Sequence, residues 1–418
     1  MRILLLCPYP PYPPRSGGAL RIYNLLAGLA TRHEIWCLTF APDDAAVAAL
    51  EPLREYCRVV TVRGLLPRST AQRAWTTLTS PLPDMALRNA SPDYASALHQ
   101  LLREQHFDIV QAASIEMAHY GLSLHDQQPV NGRVRQPHLI LDEFNAEYVL
   151  QYRAALTTLR SPRLNPRSLA ATPYSLVQWR KLAAYERRLL RAYDYTLAVS
   201  AEDRRALLKL DPAARIGIVP NGVDCAYFER RQVEEHPSIK PKSLVFTGTL
   251  DFRPNVDAIT WFAREVLPLV RTQQPAARFV VVGRAPGPAV RALHDGVAID
   301  VIGEVADVRP FINGAAAYVV PMRMGGGVRL KLLEALAMQA PVVSTTMGAE
   351  GVEGLREGAQ LLLADTPAAF AAAILRLLAD PDLGRQLGVT GRELVLRHYD
   401  WQAIVPLLEK IYAELPQP

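Results

Sequence analysis

Cysteine is scarce in this 418-residue chain: only Cys7, Cys37, Cys57 and Cys225 occur, and none has CxxC or metal-ligand spacing. That argues against a disulfide framework and against a structural metal cluster, and it suits a reducing, cytoplasmic setting. No stretch approaches the roughly 20 apolar residues that span a bilayer. The opening MRILLLC has the positive start of a secretory leader, but its apolar part, Ile3 to Cys7, is too short and runs straight into PYPPYPP. Charge of one sign is not dominant either. Lys+Arg 46 against Asp+Glu 41 gives a net +5, which does not point to nucleic acid. The turn after the first apolar run reads CPYPPYPPRSGGALR, not GxGxxG, which argues against an NAD-dependent dehydrogenase. There is no internal repeat and no low-complexity tract.

What the chain does have is length, a 50% apolar content and 33 prolines. At about 100–200 residues per domain, two to four domains are expected. The prolines are dispersed, apart from the run Pro8 to Pro14, so they read as punctuation and not as disorder. Ile3–Cys7, a loop with Gly17-Gly18, the helical pattern ALRIYNLLAGLA and the apolar run IWCLTF form a βαβ unit at the very start. Apolar runs at 59–62, 109–110, 139–141 and 195–199 continue the pattern. After the polar stretch HPSIKPKS a second series begins: LVFTGTL, a helix over about 256–270, RFVVVGR, AIDVIGEV, AAYVVPM, a helix over about 328–338, and PVVST. The expected fold class is α/β, with two Rossmann-like, doubly wound parallel-sheet domains. The first spans 1–216 and is joined by a closing helix, 399–418, interrupted at Pro406. The second spans 217–398. Parallel sheets bind ligands beyond the carboxyl ends of their strands, so two such domains should face each other across an interdomain cleft.

The passage VVPMRMGGGVRLKLLEALAMQAPVVST carries the most chemistry. A strand runs into Gly325-Gly326-Gly327 and Val328, and then a helix starts. Glycines there let backbone N–H groups reach an anion at a helix N-terminus. Arg329 and Lys331 are cations at the wrong end of the helix dipole, which makes sense if a phosphate neutralises them. Two solvated basic residues after a tight turn remain the simpler alternative. Glu334 lies mid-helix in the apolar run LLEALA. It reads either as an i,i+3 partner of Lys331 or as an acceptor for two sugar hydroxyls.

This passage resembles the donor-binding signature of the retaining glycosyltransferases of family 4, which have the GT-B fold. IVPNGVD, TTMGAEGV, Gly17-Gly18 and YDWQAIVPLLEKIY resemble further motifs of that family in the right order, over nearly the whole chain. GTLDFRPNVDAITWF, DVRPF and GGGVRLKLLEALA most resemble a subgroup associated with exopolysaccharide and exosortase gene clusters. The resemblance implies transfer of a sugar, with retention, from a nucleotide-diphosphate sugar to a saccharide or lipid-linked acceptor, with no cofactor and no metal. It implies donor contacts from Gly17, Gly18, Thr249, Arg253, Gly325, Gly326, Gly327, Val328, Arg329, Lys331 and Glu334.

The chain departs from the family pattern in three places. Gly326 stands where the family has a glutamate eight residues before Glu334. Thr249 and Pro254 stand where it has an Arg and a Lys, with Arg253 displaced by one. Gln111 and Ala113 stand where an N-terminal histidine is common, leaving Glu116 and His119 as substitutes. The loop LDEFNAEY adds Asp142, Glu143, Asn145 and Glu147. Glu116, His119, Asp142 and Glu143 are therefore the catalytic candidates, alongside the alternative that several are helix caps. Between Arg153 and Arg191 lie nine basic residues and one acid, Glu186. An Arg-rich amphipathic helix of this kind fits an anionic membrane surface, and so a peripheral position on the inner face of the cell membrane, or else a solvated helix. The other functional readings are a non-catalytic GT-B binding or scaffold protein and a nucleotide-sugar 2-epimerase-like enzyme.

Overall fold

A computed structural model describes the chain except residues 65–67, 127–135, 160–165, 231, 232, 326, 417 and 418, and the side chains of 154 and 157–172. The chain divides into two compact units, Met1–Pro220 with Val405–Pro418, and Asn221–Ile404. The divisions fall at 220/221 and 404/405, against the expected 216/217 and 398/399.

The first unit holds seven strands: β1 (Arg2–Cys7), β2 (Glu34–Ala41), β3 (Arg58–Arg63), β4 (Ile109–Ala113), β5 (His138–Glu143), β6 (Tyr195–Ala198) and β7 (Ile216–Ile218). Their order is β3-β2-β1-β4-β5-β6-β7, and every pairing is parallel. Nearly continuous burial of β1, β2, β4 and β5 explains why these strands read as unbroken apolar runs: helices cover both faces. The second unit holds β8 (Ser243–Thr247), β9 (Arg278–Val282), β10 (Ile299–Gly303), β11 (Ala317–Val320), β12 (Val342–Ser344) and β13 (Leu362–Leu363), in the order β10-β9-β8-β11-β12-β13, again all parallel. Each sheet reverses its winding once, between β1 and β4 in the first and between β8 and β11 in the second. These are the switch points where parallel sheets open to ligands.

Two local expectations are corrected. Gly17 and Gly18 do not form a loop: they are the first residues of the helix Gly17–Leu29, capped by Ser16 Oγ, which accepts from the Ala19 N–H at 3.2 Å. Gly18 is needed for space, because a Cβ there would collide with the Tyr9 hydroxyl. The closing helix, Trp401–Glu414, is not interrupted at Pro406. Pro406 and Gln402 are both exposed, so water can take the carbonyl that the missing N–H leaves unbonded. All four cysteines are free and buried.

At the carboxyl ends of β8 and β9 two backbones pass in contact. Gly283 has φ +151°, and a Cβ on it would lie inside the Gly248 carbonyl. Gly283→Ala is expected to cost about 2–4 kcal/mol through strain and overlap. Chemical denaturation checks this, and a midpoint equal to wild type would contradict the close approach.

Candidate active site

In the second unit the switch point gathers one cation and one carboxyl, both half-buried. Lys331 and Glu334 lie one turn apart on the helix Leu330–Ala337. The Lys331 Nζ donates to Asn255 Oδ1 at 2.9 Å and lies 3.8 Å from the centroid of the Phe246 ring, so it does not close an ion pair on Glu334. Burial, then the nearby Arg329, pulls the Lys331 amine down to about 7. Burial pushes the Glu334 carboxyl up to about 7, with Lys331 opposing the shift. Burial, then the nearby Glu334, raises the hydroxyl of Tyr318 on β11, which shares a 2.6 Å hydrogen bond with Thr247 of β8. The pair therefore sits beside the end of β8 and Tyr318 of β11, with both groups shifted toward their neutral forms.

The surrounding residues complete a polar rim. Asn255 Nδ2 donates to the Thr249 carbonyl at 2.8 Å, which fixes the turn after β8. Arg284, after β9, reaches Thr249 Oγ1 at 3.4 Å. Arg253 opens the helix Arg253–Trp261 and is exposed. Arg329 is the residue before the helix Leu330–Ala337, and a Cβ on Gly325 (φ +115°) would meet its guanidinium at 2.7 Å. Gly327 (φ +72°) also needs glycine, and Val328 is buried. Gly326 lies outside the described residues. Asn255 and Arg284 were missed from the sequence. Asn255 had a usable signal, as a polar residue among the apolar positions of a helix start, whereas Arg284 had none.

The first unit's switch point is acidic. A cavity of about 140 Å³ is lined by Tyr9, Ser114, Glu116, Glu143, Asn145 and Glu147, among others. Ser114 holds φ +88°, uncommon for a non-glycine residue, and its buried hydroxyl makes no hydrogen bond. Glu116 pairs with Arg88. Asn145 Nδ2 donates to Glu147 Oε1 at 3.1 Å, yet burial still lifts Glu147 to about 7. Behind it, burial and then the Glu186 carboxylate push Glu143 well above the carboxylate range, and Glu186 itself rises to about 8. Burial and the closeness of two acids therefore favour the protonated form of both, although neither Glu143 oxygen has a hydrogen-bond partner.

Two catalytic candidates are not in this cavity. Asp142, one residue before Glu143 on β5, points to the other face of the sheet. It is 1% exposed and takes a forked pair of bonds from Arg21, Nη2 to Oδ1 at 2.7 Å and Nε to Oδ2 at 2.9 Å. Arg21 also donates from Nη1 to the Pro220 carbonyl at 3.0 Å. Asp142 is thus a buried anchor, not an acceptor contact. His119 is sunk against Tyr120, with ring centroids 3.9 Å apart, and burial lowers it to about 4, so it stays neutral. The basic stretch is also less free than its count suggests. Arg188 pairs with Asp126, Arg191 with Asp211, and Lys181 donates to the Thr77 and Ser80 carbonyls. Arg160 and Arg163 lie outside the described residues.

A carboxyl raised on folding stabilises the fold below its unfolded pKa and loses that contribution as pH rises through the folded value. Glu143→Gln keeps a donor toward Glu186 but cannot ionise. Its melting temperature relative to wild type should therefore climb from pH 5 to pH 8. A pH-independent difference would mean that folding does not raise Glu143.

With this geometry in view, comparisons with known proteins converge. The family model described as Glycosyltransferase Family 4 matches residues 15–227, more than half the chain, and the model Glycosyl transferases group 1 matches residues 241–380. An uncharacterized 44.6 kDa protein in the cps region of Klebsiella pneumoniae is 27% identical over 38% of this chain and 42% of its own length. A GDP-mannose-dependent alpha-(1-6)-phosphatidylinositol monomannoside mannosyltransferase of Mycobacterium tuberculosis is 29% identical over 66% of this chain and 77% of its own. The chain spans about half the length of the first curated relatives it matches. Sucrose-phosphate synthase from Thermosynechococcus elongatus superposes with TM-score 0.70 at 17% identity, over 99% of each chain. The chain belongs to glycosyltransferase family 4, and its two parallel-sheet units are those of the GT-B fold.

Proposed function

We propose that this protein is a retaining glycosyltransferase that moves a sugar from a nucleotide-diphosphate sugar to a saccharide or lipid-linked acceptor, in polysaccharide or glycolipid assembly. The observation that carries the reading is the Lys331–Glu334 arrangement between the ends of β8 and β11. An amine brought down to about 7 by burial regains its charge when a diphosphate arrives, and a carboxyl raised to about 7 regains its own by accepting from two ribose hydroxyls. Family membership supports the same class of reaction, as does the relative named for GDP-mannose and phosphatidylinositol monomannoside.

The chemistry follows from charge. Departure of the nucleotide places negative charge on the diphosphate, and Lys331, Arg329 and the N–H groups opening the helix Leu330–Ala337 stabilise it. In this reading side chains and backbone meet that demand without a metal. The sugar becomes oxocarbenium-like, and the acceptor oxygen attacks from the face the nucleotide leaves. A departing phosphate oxygen takes the acceptor proton. Glu147 and Glu143, in the acid-lined cavity of the first unit, orient acceptor hydroxyls. The family's usual loop glutamate is absent at Gly326, so donor-sugar contacts fall to the backbone around Gly325 and Gly327.

The described part of the helix Pro166–Ala192 leaves Leu176, Val177 and Arg180 exposed, and the helix Thr70–Thr79 packed on it leaves Trp75 and Leu78 68% and 84% exposed. Among the described residues no helix is long and apolar enough to cross a membrane. We read this apolar and basic surface as the part that meets anionic lipid on the inner face of the cell membrane. Flotation with anionic vesicles at low salt should carry wild type and lose Trp75→Ser/Leu78→Ser, and equal flotation of both would contradict it.

The donor assignment is tested by titrating UDP and GDP and by following turnover of their sugars in EDTA. Lys331→Met and Glu334→Ala should each weaken nucleotide binding about tenfold or more, about 1.4 kcal/mol. Unchanged affinity in folded variants would move the site elsewhere, and tight binding without any turnover would favour a binding protein over a transferase.

A further inference from the structure

The acid-lined cavity of the first unit is bounded by polar atoms that the fold leaves unbonded. Glu143 is 1% exposed, and neither of its carboxyl oxygens has a hydrogen-bond partner. Ser114, 7% exposed, lines the same cavity with a hydroxyl that also has none. Glu116 and Glu147 add two further carboxyls. The Asn145 amide is already given to Glu147 Oε1 at 3.1 Å. Among the described residues that line the cavity none is basic, and a single guanidinium, that of Arg88, pairs with Glu116. Three carboxyls thus meet one cation. Burial pushes the other two toward their protonated forms, Glu147 to about 7 in spite of its bond from Asn145. The rings of Tyr9 and Phe144 complete the wall.

We propose that this cavity binds a positively charged amino group carried by the acceptor. The inference rests on the transferase reading above and narrows its acceptor to an amine, either an amino sugar or an amino-alcohol head group. An ammonium group is a donor only, which matches a wall of unbonded carboxyl oxygens and an unbonded hydroxyl. Its charge lets the buried carboxyls ionise, whereas a neutral hydroxyl leaves them protonated. Charge-assisted bonds of this kind are roughly twice as strong as neutral ones. The rings of Tyr9 and Phe144 suit the same guest, because aromatic faces attract cations. A metal ion fits less well: among the described residues no three His, Cys, Asp or Glu side chains are gathered to hold one. An amine held here keeps the acceptor's neighbouring hydroxyl beside the same carboxyls, which orient it for attack.

NMR titration of the full chain with two isosteric pairs tests this: glucosamine against glucose, and ethanolamine against ethylene glycol. At near-neutral pH each amine should bind about tenfold or more tightly than its neutral partner. Glucosamine binding more tightly than ethanolamine assigns an amino sugar, and equal or tighter ethanolamine binding assigns a head-group amine. Glu147→Gln and Glu143→Gln should each weaken glucosamine binding about tenfold, leave glucose binding unchanged and keep UDP or GDP affinity. Glu143→Gln removes a carboxyl that has no hydrogen-bond partner to lose, so it supplies a folded variant if Glu147→Gln disturbs the loop after β5. Amines that bind no more tightly than their neutral isosteres, or a folded Glu143→Gln that binds glucosamine like wild type, overturn the proposal. If nucleotide binds and the amines show no preference, this inference alone fails. If nucleotide fails to bind wild type, the transferase reading fails first.

Discussion

A lysine amino group 3.8 Å from the centroid of the Phe246 ring is pulled toward its neutral form, and the proposed donor site depends on a ligand that returns its charge. The helix that carries Lys331 places it one turn before Glu334, with Arg329 just ahead of the helix. The sheet supplies the floor, with Thr247 and Tyr318 hydrogen-bonded across β8 and β11. Gly248 and Gly283 let the backbones close in until Lys331 Nζ lies 2.7 Å from where a Gly248 Cβ would stand. A side chain at Gly248 would run into Lys331, and one at Gly283 into the Gly248 carbonyl. The cost of burying these ionisable groups is offset only when a ligand with the complementary charge is bound, which is the arrangement expected of a site and not of a core.

The first unit uses buried charge in two different ways. Arg21 and Asp142 are fully paired, 2.7 Å apart and each 1% exposed, and they tie the first helix to β5 and to the carbonyl of Pro220 at the end of the unit's main segment. Losing one partner of such a pair costs about 3–5 kcal/mol, so this is a fixed joint. One residue along, Glu143 has no donor aimed at it and holds its proton against Glu186. The loop that follows is kept rigid around these acids: the Ala146 N–H bonds to Asp203 Oδ1 at 3.0 Å and the Tyr148 N–H to Glu186 Oε1 at 3.2 Å. The joint holds the sheet, and Glu143, without a hydrogen-bond partner, lines the acidic cavity with Glu116 and Glu147.

Strand content was legible in the sequence because both faces of each parallel sheet are covered, which turns strands such as Ile3–Cys7 and the run around Val280 into continuous apolar runs. Glu334 stood out in the sequence because a carboxylate interrupts the apolar run LLEALA, and the structure places it near Lys331 and Tyr318. The division of roles between Asp142 and Glu143 was not. It depends on strand pleat and on Arg21, 121 residues away in sequence, and only the fold brings those together. His119 failed as a candidate for a similar reason: its helix turns it onto Tyr120 and away from the Glu116 cavity. The excess charge of 153–191 was read from composition, which cannot see that Asp126 and Asp211 arrive from other elements to meet Arg188 and Arg191. Ser114 drew no notice at all, since a serine after a strand is an ordinary residue until the fold gives it a φ of +88° and a buried hydroxyl without a partner.

The most direct test of the donor site is a crystal structure with UDP or GDP bound. The account predicts the diphosphate within hydrogen-bond distance of Lys331 Nζ and of the backbone N–H groups before Leu330, with the ribose hydroxyls on Glu334. A nucleotide seated away from the ends of β8 and β11, with Lys331 still on Asn255 and Glu334 untouched, would contradict it.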